Sequence, residues 1–556
     1  MRVGALLDSR AVKVGTVSGR IVATLRGLSV LRGLSVGRLK VLGAICLFVA
    51  LGGWAVASPV GASPDEDYHL VSVWCSHGER AGQCESPTAE SAVVPAALLS
   101  ASCYKFQPQQ SASCQRQPQQ PAMVRTDRGN FTGIYPPAFY WVDGLFVGHS
   151  ISTSVITMRL VNLMLFVIVF TAIYILLPAG LRRAQVLGTM LTAVPLGIFL
   201  VASINPSGWA ILCGATFLVS VLGYLTADDR RRHIALGVLA GLTLLIGAGA
   251  RADAAMYAVV AIGAAVILTA RSVPWRRFIY PAVLVMVAGL AFLSTGQSES
   301  ANPSLSDSDH FSIARIVRIA TEVPALWMGG AGSQAPFNYN NPAWAWGLGW
   351  LDTPMPAVVW VGAGCLYAAI VFHALAGAGR RRALAAGLVG LAALLIPVYL
   401  LYITDQYVGD YLQPRYVLPL LTMLAVVATA RLDGTAFRLT SGQRWTVVSV
   451  LTLANAAALY INLRRYVTGM PLRTWNLDRD IQWWWNSSVP PMAVLVVGAI
   501  AFGLGIALLA TGLTTIEAAG ERIDLAFGTG RARAGTANGE PVAAAHAADL
   551  ATISNP

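Results

Sequence analysis

The chain has 556 residues, of which 55% are apolar and only 12% are charged, whereas soluble domains carry about 25% charged residues. So few charges cannot cover a soluble surface, and the mean hydropathy of +0.60 agrees with this. These values argue against a soluble enzyme, a disordered scaffold and a nucleic-acid-binding protein, despite the net charge of +12. We therefore predict a membrane protein with membrane lipids as its surroundings and no nucleic-acid partner.

Long apolar stretches predict the fold class. A bilayer core about 30 Å thick needs roughly 20 apolar residues per helix, and twelve stretches meet this need. We therefore predict an all-α polytopic membrane domain over residues 41–512 with about 12 helices. The predicted spans are 41–59, 152–178, 185–203, 208–226, 234–250, 254–270, 278–294, 354–376, 383–403, 415–430, 445–463 and 490–512.

The positions of the basic residues predict the orientation. Most of the 39 lysines and arginines lie in the two termini and in alternate connections, which places both termini in the cytoplasm by the positive-inside rule. We predict a basic cytoplasmic arm over 1–40 and a disordered cytoplasmic tail over 513–556. An alternative for the first span is a cleaved signal peptide, because Ala55 and Ala57 resemble a small-residue cleavage region.

Three outer loops are long, at residues 60–151, 295–353 and 464–489. Channels and carriers need few large loops, whereas an enzyme that works on a membrane-embedded substrate needs walls on one face, so we expect the chemistry outside. Residues 311–328 are predicted to form a helix in the interface. Trp344, Trp346 and Trp350 are predicted as interfacial anchors, with sugar stacking as the alternative, and the same two interpretations apply to Trp475 and to the tryptophans at 483–485.

Four cysteines lie in the first outer loop: Cys75, Cys84, Cys103 and Cys114. On the outer side of a membrane they predict two disulfides, with three possible pairings. The alternative is a zinc site that uses Cys75, His77 and Cys84.

The densest group of acids comes directly after the first span, as Asp65, Glu66 and Asp67, followed by His69. Adjacent carboxylates raise one another's pKa, which would suit one of them as a general base toward an acceptor hydroxyl. Hard carboxylate oxygens also suit a divalent cation. A solvated acidic loop start remains a third interpretation.

Other polar and ionisable residues lie at or near membrane depth, where such groups are functional candidates. Arg251 and Asp253 alternatively satisfy each other, and Arg415 has potential partners in Asp405 or Asp410. The remaining candidates are Tyr135, Arg159 and Asn205.

Four motifs in chain order carry a family resemblance: Pro64-Asp65-Glu66-x-x-His69, Tyr135-Pro136-Pro137-x-x-Tyr140, Arg251-x-Asp253 and Pro414-Arg415-Tyr416-x-x-Pro419. Over residues 41–465 the chain resembles a bacterial polytopic family of predicted membrane proteins of unknown function. That family is similar in layout to GT-C glycosyltransferases, including the protein mannosyltransferase type.

The resemblance implies inverting transfer of a sugar from a polyprenyl-phosphate carrier to a glycan, lipid or protein acceptor, on the outer face of a bacterial plasma membrane. Asp65 would orient or deprotonate the acceptor hydroxyl, with Glu66 as its neighbour. His69, Arg251 and Arg415 would neutralise the phosphate leaving group, and Tyr135, Arg159, Asn205 and Asp253 would complete the substrate site. The resemblance implies no certain cofactor, and a divalent cation remains an open alternative. Two further alternatives are a transporter or flippase of a lipid-linked glycan and a non-catalytic envelope assembly factor.

Overall fold

Apolar helices make up most of the described chain. The computed structural model describes residues 36–510 except 116–121, 298–311, 328–346, 407, 409–411 and 434. Most of the predicted N-terminal arm, the whole predicted C-terminal tail, Trp344, Trp346 and Asp410 lie outside the described residues.

Fifteen α-helices of seven or more residues organise the described residues. The first five are α1 (Val36–Val56), α2 (Glu66–Trp74), α3 (Ala138–Gly144), α4 (Ile151–Leu176) and α5 (Ala179–Val201). The next five are α6 (Ser207–Thr226), α7 (Arg230–Ala250), α8 (Ala252–Thr269), α9 (Trp275–Leu293) and α10 (Ile313–Glu322). The last five are α11 (Ala357–Ala376), α12 (Arg380–Ile403), α13 (Pro414–Thr429), α14 (Ser441–Val467) and α15 (Pro491–Ala510).

Ten of these helices are long and apolar enough to cross a membrane, and two apolar helices in α1 and α13 are shorter. Each of the twelve predicted spans coincides with one of these helices within a few residues. The prediction of an all-α polytopic membrane protein is confirmed. The number of complete crossings stays a prediction, because α13 has only 16 residues where a perpendicular crossing needs about 20.

The centre of the helix bundle is formed by α5, α6 and α13. Most of the apolar stretch of α5 and of α6 is buried inside the protein, whereas most of α9 is not. Helix α13 packs against α5, α6, α11 and α12. Large apolar side chains such as Met286 and Leu290 on α9 are exposed, which is the pattern of a helix that faces lipid.

The chain between α1 and α4 forms a small layer, which we call the outer layer because it contains the predicted outer loop 60–151. Strand β1 (Ala92–Pro95) pairs antiparallel with strand β2 (Met123–Thr126). Disulfides join Cys75 to Cys84 and Cys103 to Cys114, which selects one of the three possible pairings. The zinc alternative is therefore wrong, because its two cysteines are bonded to each other.

A buried arginine fastens this outer layer to the bundle. Arg465 on α14 pairs with Asp352 at 3.0 Å and donates to the carbonyl of Tyr104 at 2.9 Å and to that of Gln110. Because Tyr104 and Gln110 lie between Cys103 and Cys114, the second disulfide loop is docked onto α14.

Two predictions for the second outer loop, a helix and an anchoring tryptophan, have different outcomes. The predicted 311–328 helix is observed as α10 followed by a separate four-residue α-helical segment, Pro324–Trp327, with Ile319 buried and Val317 exposed. Trp350 is 6% exposed and lies against the side chain of Lys105. The prediction that Trp350 is an interfacial anchor is therefore wrong.

Candidate functional site

Asp65 is held between two arginines at the start of α2. It takes the left-handed conformation, with φ 60°, and its side chain is 35% exposed. One carboxylate oxygen lies 2.7 Å from Nη2 of Arg415 and the other lies 3.2 Å from Nη2 of Arg128. Burial by itself raises the pKa of Asp65, but Arg415 outweighs it with help from Arg128, and the pKa falls to about 2. Asp65 is therefore an ionised carboxylate at neutral pH.

Arg415 joins Asp65 to the centre of the bundle. It lies in the first turn of α13, is only 2% exposed and donates to the carbonyl of Pro64 at 3.0 Å. Asn205 donates to the same carbonyl at 2.8 Å. Two residues far apart in sequence thus fix the backbone directly before Asp65, and Asn205 acts here as a positioning residue.

Arg251 and Asp253 form a bidentate ion pair beside Arg415. The closest contact joins Nη2 of Arg251 to Oδ2 of Asp253 at 2.6 Å, so the interpretation in which these residues satisfy each other agrees with the geometry. The guanidinium of Arg251 lies 4.5 Å from the ring centre of Tyr416, and that of Arg415 lies 5.0 Å from it. Tyr135 lies 5.6 Å from Arg251 on another side. The two arginines therefore share one aromatic ring.

Glu66 turns away from Asp65 into the protein. Its carboxylate lies 2.9 Å from Nη2 of Arg159, and neither side chain is exposed. The other oxygen accepts from the backbone N–H of Ser63 at 2.8 Å, and Arg159 also donates to three carbonyls at the end of α1, those of Ala55, Ser58 and Pro59. The predictions that Glu66 acts beside Asp65 and that Arg159 touches substrate are not supported, because this pair is sealed inside the protein.

His69 is buried and packed among aromatic rings. Its Nδ1 lies 3.0 Å from the Tyr140 hydroxyl, and the Tyr135 ring meets it edge-on at 5.4 Å. Burial lowers the pKa of His69 to about 3, against the opposing effect of Asp65. His69 is therefore neutral at pH 7, and the prediction that it supplies a positive charge to a phosphate is corrected.

The structure adds two cations to the site that the sequence analysis did not single out. Arg128 lies 2.8 Å from Asp67 as well as 3.2 Å from Asp65, and Lys105 lies 3.2 Å from Asp67. Arg128 comes two residues after β2, so strand pairing brings it back to α2. One feature of the sequence pointed to Arg128: it is a basic residue in a predicted outer loop, where the positive-inside rule expects few basic residues.

The three consecutive acids do not converge on one metal position. Asp65 faces Arg415, Glu66 faces Arg159 and Asp67 faces Lys105 and Arg128. Among the described residues, no group of three or more His, Cys, Asp or Glu side chains is arranged to hold a metal ion. The divalent-cation alternative for this acid group therefore has no support in the described part of the chain.

A family comparison covers the whole site. Residues 47–424 match the family described as predicted membrane protein (DUF2142). The chain belongs to this family. The part that matches DUF2142 includes Asp65, Arg128, Arg251 and Arg415, whereas Arg465 lies beyond it. No curated protein and no solved structure matches the chain.

The predicted partners of Arg415 also need correction in this DUF2142 protein. Asp405 pairs with Arg315 on α10, and Arg415 pairs with Asp65. The contact between Asp65 and Arg415 links residues 350 positions apart. It brings together two of the four motifs, and the ring of Tyr416 adds the Arg251 motif.

Proposed function

We propose that this protein is a membrane-embedded glycosyltransferase of the inverting GT-C type. It moves a sugar from a polyprenyl-phosphate donor to a cell-envelope acceptor on the outer face of the plasma membrane. The observation that carries the proposal is the contact between the partly exposed carboxylate of Asp65 and the buried guanidinium of Arg415, with Arg251 on the same Tyr416 ring. A base for a hydroxyl and cations for a phosphate thus lie side by side.

The transfer follows from the charges of these groups. The acceptor hydroxyl oxygen bonds to the anomeric carbon as the bond from that carbon to the phosphate oxygen breaks. The hydroxyl proton goes to Asp65, and the bonding electron pair leaves on the phosphate, where Arg415 neutralises it. Attack opposite the leaving group inverts the anomeric carbon, and the products are the glycosylated acceptor and polyprenyl phosphate.

The pairing of Asp65 with Arg415 also supplies an order of events. A carboxylate with a pKa of about 2 is a poor proton acceptor, because general bases work best with a pKa near the operating pH. A donor phosphate that draws Arg415 away removes the main force that lowers the pKa of Asp65. Donor binding therefore prepares the base before the acceptor reacts.

The test replaces Asp65 with asparagine. Asn accepts the left-handed backbone that Asp65 adopts, so D65N removes the charge with little strain. Membranes are supplied with radiolabelled polyprenyl-phosphate hexoses and pentoses, each in turn, and label on the envelope acceptor is measured. We expect a loss of about 10²–10⁴-fold, with membrane abundance unchanged.

Asp127 provides the matched control. It is an exposed acid in the same outer loop, so D127N removes an equal charge and should leave transfer intact. Undiminished transfer by D65N would contradict the proposal. Label that crosses the membrane but stays on the lipid would favour the flippase alternative, and full cellular function of D65N would favour the assembly factor.

A further inference from the structure

The charges around Asp65 do not balance. The cluster formed by Lys105, Arg128, Arg415, Asp65 and Asp67 holds three cations and two carboxylates. The neighbouring buried pairs each match one cation with one carboxylate: Arg159 with Glu66, Arg251 with Asp253 and Arg465 with Asp352. Compared with these three buried pairs, the Asp65 cluster therefore carries one surplus positive charge.

The surplus lies on the exposed side of the cluster. Side-chain exposure is 38% for Arg128 and 26% for Lys105, against 2% for Arg415. Asp67, which holds both outer cations, is 3% exposed. A ligand that arrives from the aqueous side therefore meets Lys105 and Arg128, whose shared counter-ion Asp67 is buried, while Asp65 beside Arg128 is 35% exposed.

A fixed aromatic ring supports the two cations. The Lys105 ammonium lies 4.7 Å and the Arg128 guanidinium 5.9 Å from the ring centre of Trp350. The indole N–H of Trp350 donates to the carbonyl of Gly61 at 3.0 Å, and its backbone N–H donates to Asp352 at 3.2 Å. Lys105 and Arg128 are thus held in place before any ligand binds, which lowers the entropy cost of binding.

Arg128 also has hydrogen-bonding capacity to spare. Within the described part of the chain, its buried Nε–H finds no acceptor, and the same holds for Nε of Arg415. A buried donor without an acceptor destabilises the protein, and a hydrogen bond to an anionic oxygen removes that cost. The surplus positive charge and the unpaired donors therefore both favour an anionic ligand with oxygen acceptors.

We infer that Lys105 and Arg128 form a binding site for a phosphoryl group carried by the acceptor. An arginine fork with a lysine point charge is a recurrent way to bind phosphate. Because Arg128 also contacts Asp65, the bound phosphoryl group lies within about one side-chain length of the reacting hydroxyl. The acceptor is therefore a hydroxyl compound with a nearby phosphate, such as a polyol phosphate; its role as acceptor rests on the proposed function.

Calorimetry on the full chain in phosphatidylcholine nanodiscs tests the site, with glycerol phosphate as the probe and glycerol as the uncharged control. We expect glycerol phosphate to bind and glycerol not to bind. K105Q and R128Q should each weaken glycerol phosphate about tenfold, or about 1.4 kcal/mol. R125Q is the matched control, because Arg125 is an exposed arginine on β2 that contacts Ser91 rather than the cluster.

Five outcomes decide the inference. Binding weakened by K105Q and R128Q, but not by R125Q, supports it, provided that thermal melting shows each variant folded. Absence of binding, or binding that K105Q and R128Q leave unchanged, overturns it. Binding lost in R415Q alone also overturns it, because the phosphate then occupies the inner cation. Competition by phosphatidylglycerol that R128Q abolishes supports the site and identifies a lipid headgroup as the source of the phosphate.

The result is separable from the proposed function. Sugar transfer without any effect of K105Q or R128Q on acceptor KM leaves the glycosyltransferase proposal standing and removes this inference. The opposite result is glycerol phosphate binding that depends on both cations in a protein that transfers no sugar from any donor. In that case the phosphoryl site stands and the glycosyltransferase proposal fails.

Discussion

At the residue scale, neighbouring acids in the sequence have separate surroundings in the structure. Asp65 precedes α2 in the left-handed conformation, while Glu66 and Asp67 occupy its first turn. Successive helical residues point about 100° apart, so Glu66 is directed inward to Arg159 and Asp67 outward to Lys105. Of the three consecutive acids, Asp65 is thus a partly exposed carboxylate. Glu66 forms a buried ion pair with α4, and Asp67 pairs with two cations.

Removal of the charge of Glu66 should destabilise the protein. E66Q leaves the Arg159 guanidinium buried without its carboxylate, and breaking a buried pair costs about 3–5 kcal/mol. We expect a lower midpoint of thermal unfolding in detergent. D65N should lower the midpoint less, because Asp65 is 35% exposed and water screens its pairing with Arg415. The control is E90Q, because Glu90 is exposed; an unchanged midpoint for E66Q would contradict a structural role.

His69 should make stability depend on pH. Its pKa is about 3 in the folded protein, against 6.5 when unperturbed, so the unfolded state binds more protons between these values. Stability therefore falls as the pH drops from 6.5 toward 3, by at most about 1.4 kcal/mol per pH unit. Asp65 acts with the same sign, because its pKa is also lower in the folded protein, but its contribution is lost only as the pH falls from about 4 through 2.

The measurement compares H69Q with the wild type in denaturation series from pH 7 to pH 4. The difference between the two proteins should shrink or reverse as the pH falls, because H69Q has no imidazole to protonate. Parallel pH profiles for the two proteins would show that His69 is not held neutral.

At the element scale, α13 decides where Arg415 lies. This helix has 16 residues, nearly all buried, with Pro414 at its start. Glycines on its neighbours let it approach closely. A Cβ on Gly214 of α6 would lie 2.9 Å from the Cα of Pro419, and one on Gly188 of α5 would lie 3.1 Å from the carbonyl of Thr422. Because α13 is short and packs closely against α5 and α6, Arg415 in its first turn is held in place.

A larger residue at Gly214 should move α13. G214L forces α13 away from α6, since backbone atoms of Pro419 occupy the space that the new side chain needs. We expect both a lower unfolding midpoint and a loss of the proposed sugar transfer, because Arg415 moves relative to Asp65. G390L on α12 is the control: nothing lies within 4 Å of that Cβ position, so its midpoint and activity should match the wild type.

At the scale of the whole molecule, the outer layer and the basic connections indicate one orientation. The disulfides, β1, β2 and the Asp65 cluster lie between α1 and α4, whereas Arg380, Arg381 and Arg382 begin α12. Disulfides persist in oxidising surroundings, and arginine clusters favour the cytoplasm. Both trends predict that residues 60–151 lie outside.

Cysteine labelling on intact cells that produce the protein tests this orientation. A membrane-impermeant maleimide should label R125C in whole cells and R381C only after permeabilisation, in a background with Cys46, Cys213 and Cys365 replaced by alanine. The unsubstituted background is the control for labelling of the disulfide cysteines. The reverse pattern would overturn the orientation.

Much of the fold was predictable from the sequence, because apolar length and charge placement are local properties. The twelve apolar stretches coincide with helices for that reason, and the two disulfides follow from four cysteines in one loop. The site was predictable only in part. Asp65, Arg251 and Arg415 stood out as ionisable groups near membrane depth, but Lys105 and Arg128 lie in a loop whose path depends on strand pairing and on the anchoring of Tyr104 by Arg465.

The sequence by itself determined that this protein lies in a lipid bilayer and in what order its helices follow, since each membrane crossing requires about 20 apolar residues. Only the tertiary structure decided which cation meets which acid. Arg415 meets Asp65 across 350 positions, Arg159 meets Glu66 across 93, and His69 lost its charge through burial. The reason is physical: the energy of an ion depends on distance and solvent exposure, and both are set when helices pack.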